Sequence, residues 1–255
     1  MCIILGEVHR VAQTKLFVLP NNDKTRQLTF YSNAVDSPKE NLMVLPVPAK
    51  DGPIELHTIA YKGLFQNLRE SVSKIMPPRP SFLTRSLTAS ASLAPEDKLE
   101  VILHGSYAVS IAPKLEDLRR LDSSVFEVSE DLIQFFAKHY SREFSYICCV
   151  LRKGYKGYEP LCYSHPLHSS GKLFVPTLHY HKHHGKVNTT TADWDHQIYS
   201  VGTEEKANLG YVSNYENSVD WTRFPPDYQK LKVSSVRCAE IHGFRQNTDI
   251  SFALY

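Results

Sequence analysis

The stretch HPLHSSGKLFVPTLHYHKHHGKVNTTTADWDHQIY, residues 165–199, sets the reading of the whole chain. Within it, Leu173-Phe174-Val175-Pro176-Thr177-Leu178-His179-Tyr180-His181 is rich in β-branched and aromatic residues and is opened by Gly171, a strand signature. The same stretch holds seven of the chain's twelve histidines: His165, His168, His179, His181, His183, His184 and His196. Side chains two apart on a strand share a face, with a rise of about 3.3 Å per residue. His179 and His181, with His183 beyond, are therefore expected to project together, and Leu178 and Tyr180 the other way. Asp193 and Asp195 flank Trp194 just before His196.

Strand patterns continue on both sides of this stretch. Cys2–Leu5 is a short apolar strand candidate, and Lys15–Leu19 with Gln27–Ser32 reads as a hairpin around Asn21-Asn22-Asp23. Asn41–Pro48 is a further strand, expected to end at a sheet edge or to become polyproline-like near Pro46, because Pro46 and Pro48 donate no ladder hydrogen bond. Leu99–His104 and Tyr107–Ile111 flank Gly105. Phe144–Leu151 and Tyr158–Tyr163 read as a hairpin across Arg152–Gly157. Strands are also expected near 197–202, 231–242 and 248–254, the last two joined through Gly243–Thr248. Helical spacing of Leu64, Leu68, Val72 and Ile75 predicts an amphipathic helix over 61–75. Two more helices fit 114–122 and 129–140, the second capped by Ser129 with Glu130 and Asp131 in its first turn. The expected fold class is α+β, one domain over 1–255, with predominantly antiparallel strands in two sheets or one strongly bent sheet and about three helices. Residues 76–97 are rich in proline and serine and read as a mobile loop, able to offer Pro77–Pro80 to a protein partner.

The 29 basic and 27 acidic residues leave a formal net charge of +2, which gives no reason to expect nucleic-acid binding. No apolar run approaches the roughly 20 residues that span a bilayer, so no membrane contact is expected. The amino terminus lacks the pattern of a secretory signal. Five cysteines, odd in number, suit a reducing compartment, so the expected location is cytoplasmic or nuclear.

An initial cysteine, the Lys15-Leu16-Phe17 hairpin and the strand closing in Val44-Leu45-Pro46-Val47-Pro48 resemble a bacterial domain-of-unknown-function family. Ala192-Asp193-Trp194-Asp195-His196 is similar to a motif of uncharacterised viral and eukaryotic proteins. Neither resemblance implies an established activity.

Three chemistries fit the residues. Imidazoles bind zinc at about 2.0–2.1 Å, so His179, His181 and His196 are candidate metal ligands, with zinc as the cofactor they would hold. Cys162, His165, His168, His183, Asp193 and Asp195 stand as further candidates. Without a metal, His196 with Asp195 or Asp193, or His181 with Asp195, is a candidate acid/base pair, and Tyr180, Trp194 and Asp193 could line a site for a small polar ligand. Cys2, exposed once Met1 is removed, is a candidate nucleophile of an N-terminal-cysteine amidohydrolase, its own amino group serving as base. The third reading is a noncatalytic protein-interaction module. Phosphate-binding and dinucleotide-binding glycine motifs are absent.

Overall fold

The computed structural model describes residues 3–49, 52–59, 61, 63–72, 98–121, 128–168, 170–182, 189–203, 219–229 and 236–254. The side chains of residues 155–156 and 181–182 also lie outside the description. Strands dominate, and they form two large sheets that face each other.

From edge to edge, the first sheet holds β12 (Tyr180–Lys182), β1 (Ile3–Glu7), β4 (Asn41–Pro48), β8 (Phe144–Leu151), β7 (Tyr107–Ala112) and β6 (Ile102–His104). The second runs β14 (Val236–Gln246), β13 (Thr191–Val201), β2 (Arg10–Pro20), β3 (Arg26–Ser37), β10 (Leu161–Pro166) and β5 (Glu55–Leu56), with β9 (Gly154–Gly157) also on β3. A separate ribbon pairs β11 (Lys172–Val175) with β15 (Ile250–Ala253). Pairing is antiparallel except between β1 and β12 and between β2 and β13. This is the expected α+β architecture with two sheets.

Alternation along the strands explains the layering. Ile4, Met43, Leu45, Val109, Ile147 and Cys149 from the first sheet meet Leu16, Val18, Tyr31, Tyr163, Trp194 and Ile198 from the second in one buried core. The second sheet's other face, with Phe17, Phe30, Tyr199 and Cys238, is covered by α1 (Leu64–Val72), by Trp221 and Phe224, and by Tyr228 of α3 (Pro226–Gln229). On the outer face of the first sheet, Val44, Tyr146 and Cys148 pack under α2 (Glu130–His139) and the 3-10 turn 115–120. Ser129 caps α2 as its sequence suggests, its side chain accepting the Leu132 amide at 3.3 Å.

Four local expectations are corrected. Pro46 does not put β4 at an edge, because β4 lies between β1 and β8. Within β4, and among the described residues, β1 pairs only with Met43 and Val44, so the missing N–H groups of Pro46 and Pro48 fall beyond that contact. Phe144–Leu151 and Leu161–Pro166 do not form a hairpin but belong to different sheets, with β9 diverted onto β3 between them. Likewise β14 and β15 pair with β13 and β11 rather than with each other. Finally, 173–181 is two strands rather than one, interrupted between Val175 and Tyr180 where Pro176 removes a donor.

Candidate functional site

The break after Val175 is held by hydrogen bonds from the other end of the chain. Asp249 Oδ1 accepts the amides of both Thr177 and Leu178 at 2.7 Å. Its Oδ2 accepts the Tyr140 hydroxyl of the segment following α2, at 2.8 Å. Asn247 clamps the next residue in both directions, accepting the His179 amide at 2.7 Å and donating to the His179 carbonyl at 2.8 Å. The Thr177 hydroxyl donates to the Thr248 carbonyl at 3.0 Å. Asn247-Thr248-Asp249 thus substitutes for a strand partner where 176–179 has none. Burial pushes the Asp249 carboxyl up from its ordinary value, against the lowering effect of these donors. Nothing in the sequence marks these residues apart from a turn-like composition.

This clasp sets His179 inside the protein against β13. The His179 ring lies 5.3 Å from that of His196, at an interplanar angle of 27°, and 5.3 Å from Trp194. Trp194 and His196 are 4.6 Å apart. All three are buried. Trp194 and His196 share the inward face of β13 because they are two residues apart. His196 Nδ1 accepts the Asp195 amide at 3.2 Å, which places the proton of the neutral ring on Nε2. Burial, followed by nearby positive groups including His179 and His242, holds its pKa well below the ordinary imidazole value. A neutral, enclosed imidazole of this kind packs; it does not exchange protons with solvent near neutral pH.

The remaining candidates are dispersed by the same alternation. Asp193 and Asp195 project from the opposite face of β13 to His196. Asp195 accepts the Gln13 amide at 3.0 Å and lies 3.5 Å from His242 Nδ1 on the neighbouring strand. Tyr180 is buried on the helix side of the first sheet, its ring 4.6 Å from Phe135. Cys162 and His165 face opposite sides of β10, one under α1 and one toward the inter-sheet core. Burial pushes the Cys162 thiol well up and holds His165 down at about 4. The His181 side chain, His183 and Cys2 lie outside the described residues. Zinc sites ordinarily take three or four protein ligands. Among the described residues, the structure brings together two of the expected ligands, His179 and His196, and no group of three or more His, Cys, Asp or Glu is placed to hold a metal ion.

A second polar cluster, invisible to sequence spacing, joins β3, β5 and β10. Ser164 Oγ lies 2.8 Å from His57 Nε2, accepts from Arg26 Nη2 at 3.1 Å, and donates to Glu55 Oε2 at 3.4 Å. Serine, histidine and glutamate meet here, but not in the order of a nucleophilic triad. Glu55 approaches the same imidazole nitrogen as Ser164, at 3.9 Å, instead of orienting the ring from Nδ1. Ser164 is buried and already bonded by the Arg26 guanidinium. The cluster fastens the two-residue strand β5 to the sheet.

No protein-family model matches the chain, and no curated protein matches it in sequence. Solved structures do match it in architecture. The fold is similar to that of baculovirus P35. The crystal structure of baculovirus P35 superposes with a TM-score of 0.54 at 15% identity, covering 99% of this chain and 99% of P35. A mutated P35 after caspase cleavage gives 0.53 at 13% identity over 95% of this chain and 99% of P35. P35 in its complex with caspase-8 gives 0.53 at 13% identity, covering 95% and 96%. At these identities the P35 likeness is one of fold. No helix among the described residues is long and apolar enough to cross a membrane.

Proposed function

We propose that this chain is a noncatalytic protein-binding protein whose partner is a caspase-type cysteine protease, and that the protease cuts the chain it binds. The observation that carries this reading is the likeness to P35 along 99% of both chains, because P35 is found both in complex with caspase-8 and after caspase cleavage. The internal chemistry agrees with it. The described histidines of the expected site serve the core, and Ser164 is tied into a structural cluster, so a protein surface is a better-supported working part than an internal catalytic centre. The Pro/Ser-rich stretch 76–97 lies outside the described residues.

The test uses the full chain with a panel of purified caspases that includes caspase-8. Residual peptidase activity, co-elution by size exclusion and fragment masses are read together. Support is a stable complex with loss of protease activity and the appearance of fragments of the chain, the cut bond being read from their masses. Full protease activity at equimolar chain, with no complex for any member of the panel, would refute the reading.

A further inference from the structure

Four arginines of this protein are matched with carboxylates. Arg26 reaches Glu55 at 3.2 Å, Arg119 reaches Glu130 at 2.7 Å, Arg120 reaches Asp117 at 3.2 Å and Arg223 reaches Asp220 at 2.9 Å. Arg237, on β14, is different. Nε and Nη1 of its guanidinium are buried, and neither has a hydrogen-bond partner among the described residues. The residue as a whole is only half-buried, so the group is shielded on its inner side and approachable from solvent. A guanidinium keeps its charge throughout the physiological pH range. Leaving such donors buried and unmet is costly, and the partners that meet them best are the oxygens of an anion.

The strand register explains what lies beside it. Arg237 is opposite Ser200, one step before the final Val201–Val236 pair of the β13–β14 ladder. Directly opposed side chains share a face, here the inward one that carries Ile198, Ala239 and Ile241. Ser200 Oγ and Thr203 Oγ1, both on buried residues, lie 2.9 Å apart, and either can donate to the other. One hydroxyl proton is spent in that bond, and the second is left to donate. Thr203 also bridges to Leu254, which brings the end of the β11–β15 ribbon to this corner. The acidic side chains of the two strands, Asp193, Asp195 and Glu240, belong by alternation to the opposite face. The corner therefore presents donors and one fixed positive charge.

We propose that Arg237, with the Ser200–Thr203 hydroxyl pair beside it, binds a small oxoanion from solution, a phosphate or a carboxylate. An oxoanion only accepts hydrogen bonds, which matches a set of donors, and the planar guanidinium suits phosphate and carboxylate oxygens alike. A neutral amide or sugar would bring donors of its own that find no acceptor in this set, and a cation would be repelled. The anion binds the folded chain and not the unfolded one, so occupancy registers as stability.

The test follows thermal unfolding of the intact chain in a chloride buffer and in the same buffer with phosphate or acetate at equal ionic strength. Titration calorimetry measures the affinity for each anion. The bound anion should raise Tm by about 5 °C or more once it is in hundredfold excess over its Kd, and the more effective of the two identifies the class. Arg237→Met replaces the charge with an apolar chain; it should be at least as stable as the unaltered protein in chloride and should lose the response to both anions. Arg237→Lys, which keeps the charge without the fork, should bind about tenfold more weakly. The same Tm in all three buffers, or an anion response that survives in Arg237→Met, would overturn the proposal. So would an Arg237→Met protein clearly less stable than the unaltered one in chloride, since the chain would then be supplying the counter-charge itself.

Discussion

Acid should destabilise this protein through His165, and the size of that effect can be worked out from where the ring sits. His165 is 1% exposed, between the two sheets, with Nδ1 donating to the Pro166 carbonyl at 2.7 Å. The Pro166 and Pro48 backbone groups both favour the protonated ring, but burial outweighs them and holds the pKa at about 4. An unfolded chain binds the proton near pH 6.5. The folded pKa is therefore the lower one, so the stabilisation is complete above about pH 6.5 and is lost as pH falls toward about 4. At about 1.4 kcal/mol per pH unit, that loss amounts to roughly 3 kcal/mol, a large share of the roughly 5–15 kcal/mol that holds a typical domain folded. In His165→Asn the amide nitrogen takes the place of Nδ1 and keeps the bond to Pro166, at a packing cost of about 1–3 kcal/mol near neutral pH. Urea unfolding of both proteins at a series of pH values from 7.5 down to 4.5 isolates the term, because His57, His104, His139 and His196, also lowered by burial, remain in both. The wild type should lose about 2–3 kcal/mol more than the variant across the series. A constant difference between the two proteins would refute the assignment of a neutral, buried His165.

Asp249 should give the opposite pH trend. Its folded pKa is raised by burial, so its contribution is greatest below the unfolded carboxyl value and falls as pH rises through the raised one. Asp249→Asn keeps an oxygen for the Thr177 and Leu178 amides, so its cost, about 1–3 kcal/mol, should shrink between pH 4 and 7 when Tm is followed by circular dichroism; a growing cost would count against the buried clasp. Gln13 sits at φ 55° where the β2–β3 register shifts, a left-handed conformation that glycine adopts without strain. Gln13→Gly should stabilise by about 0.5–1 kcal/mol in urea unfolding, and destabilisation would show that the Gln13 side chain contributes more than its backbone costs.

The candidate site shows where sequence spacing stops being informative. Alternation correctly separates His196 from Asp195, yet proximity in sequence made the two look like a working pair. In the fold, Asp195 serves the Gln13 amide and His242, more than forty residues beyond it in the second case. His179 does meet His196, but only because Asn247 and Asp249, about seventy residues further along, hold 177–179 against β13. The Ser164–His57 contact spans more than a hundred residues and leaves no local trace.

What the sequence determined by itself was the set of local elements. Period-two patterning specified most strands, the spacing of Leu64, Leu68 and Val72 specified α1, and Ser129 specified the start of α2, because each depends on side chains within one or two turns of chain. Which strands became neighbours was decided only by the tertiary structure. Phe144–Leu151 and Leu161–Pro166 are both apolar enough to pair with each other, as are β14 and β15, yet each found a partner elsewhere. Two facing sheets must each present an apolar side to the common core, and that requirement is met by the whole set of strands at once, not by any adjacent pair. The histidines that read as a metal or acid/base site were drawn inside for the same reason: His196 lies on the inward side of β13, and His179 is held against it by residues that local sequence could not name.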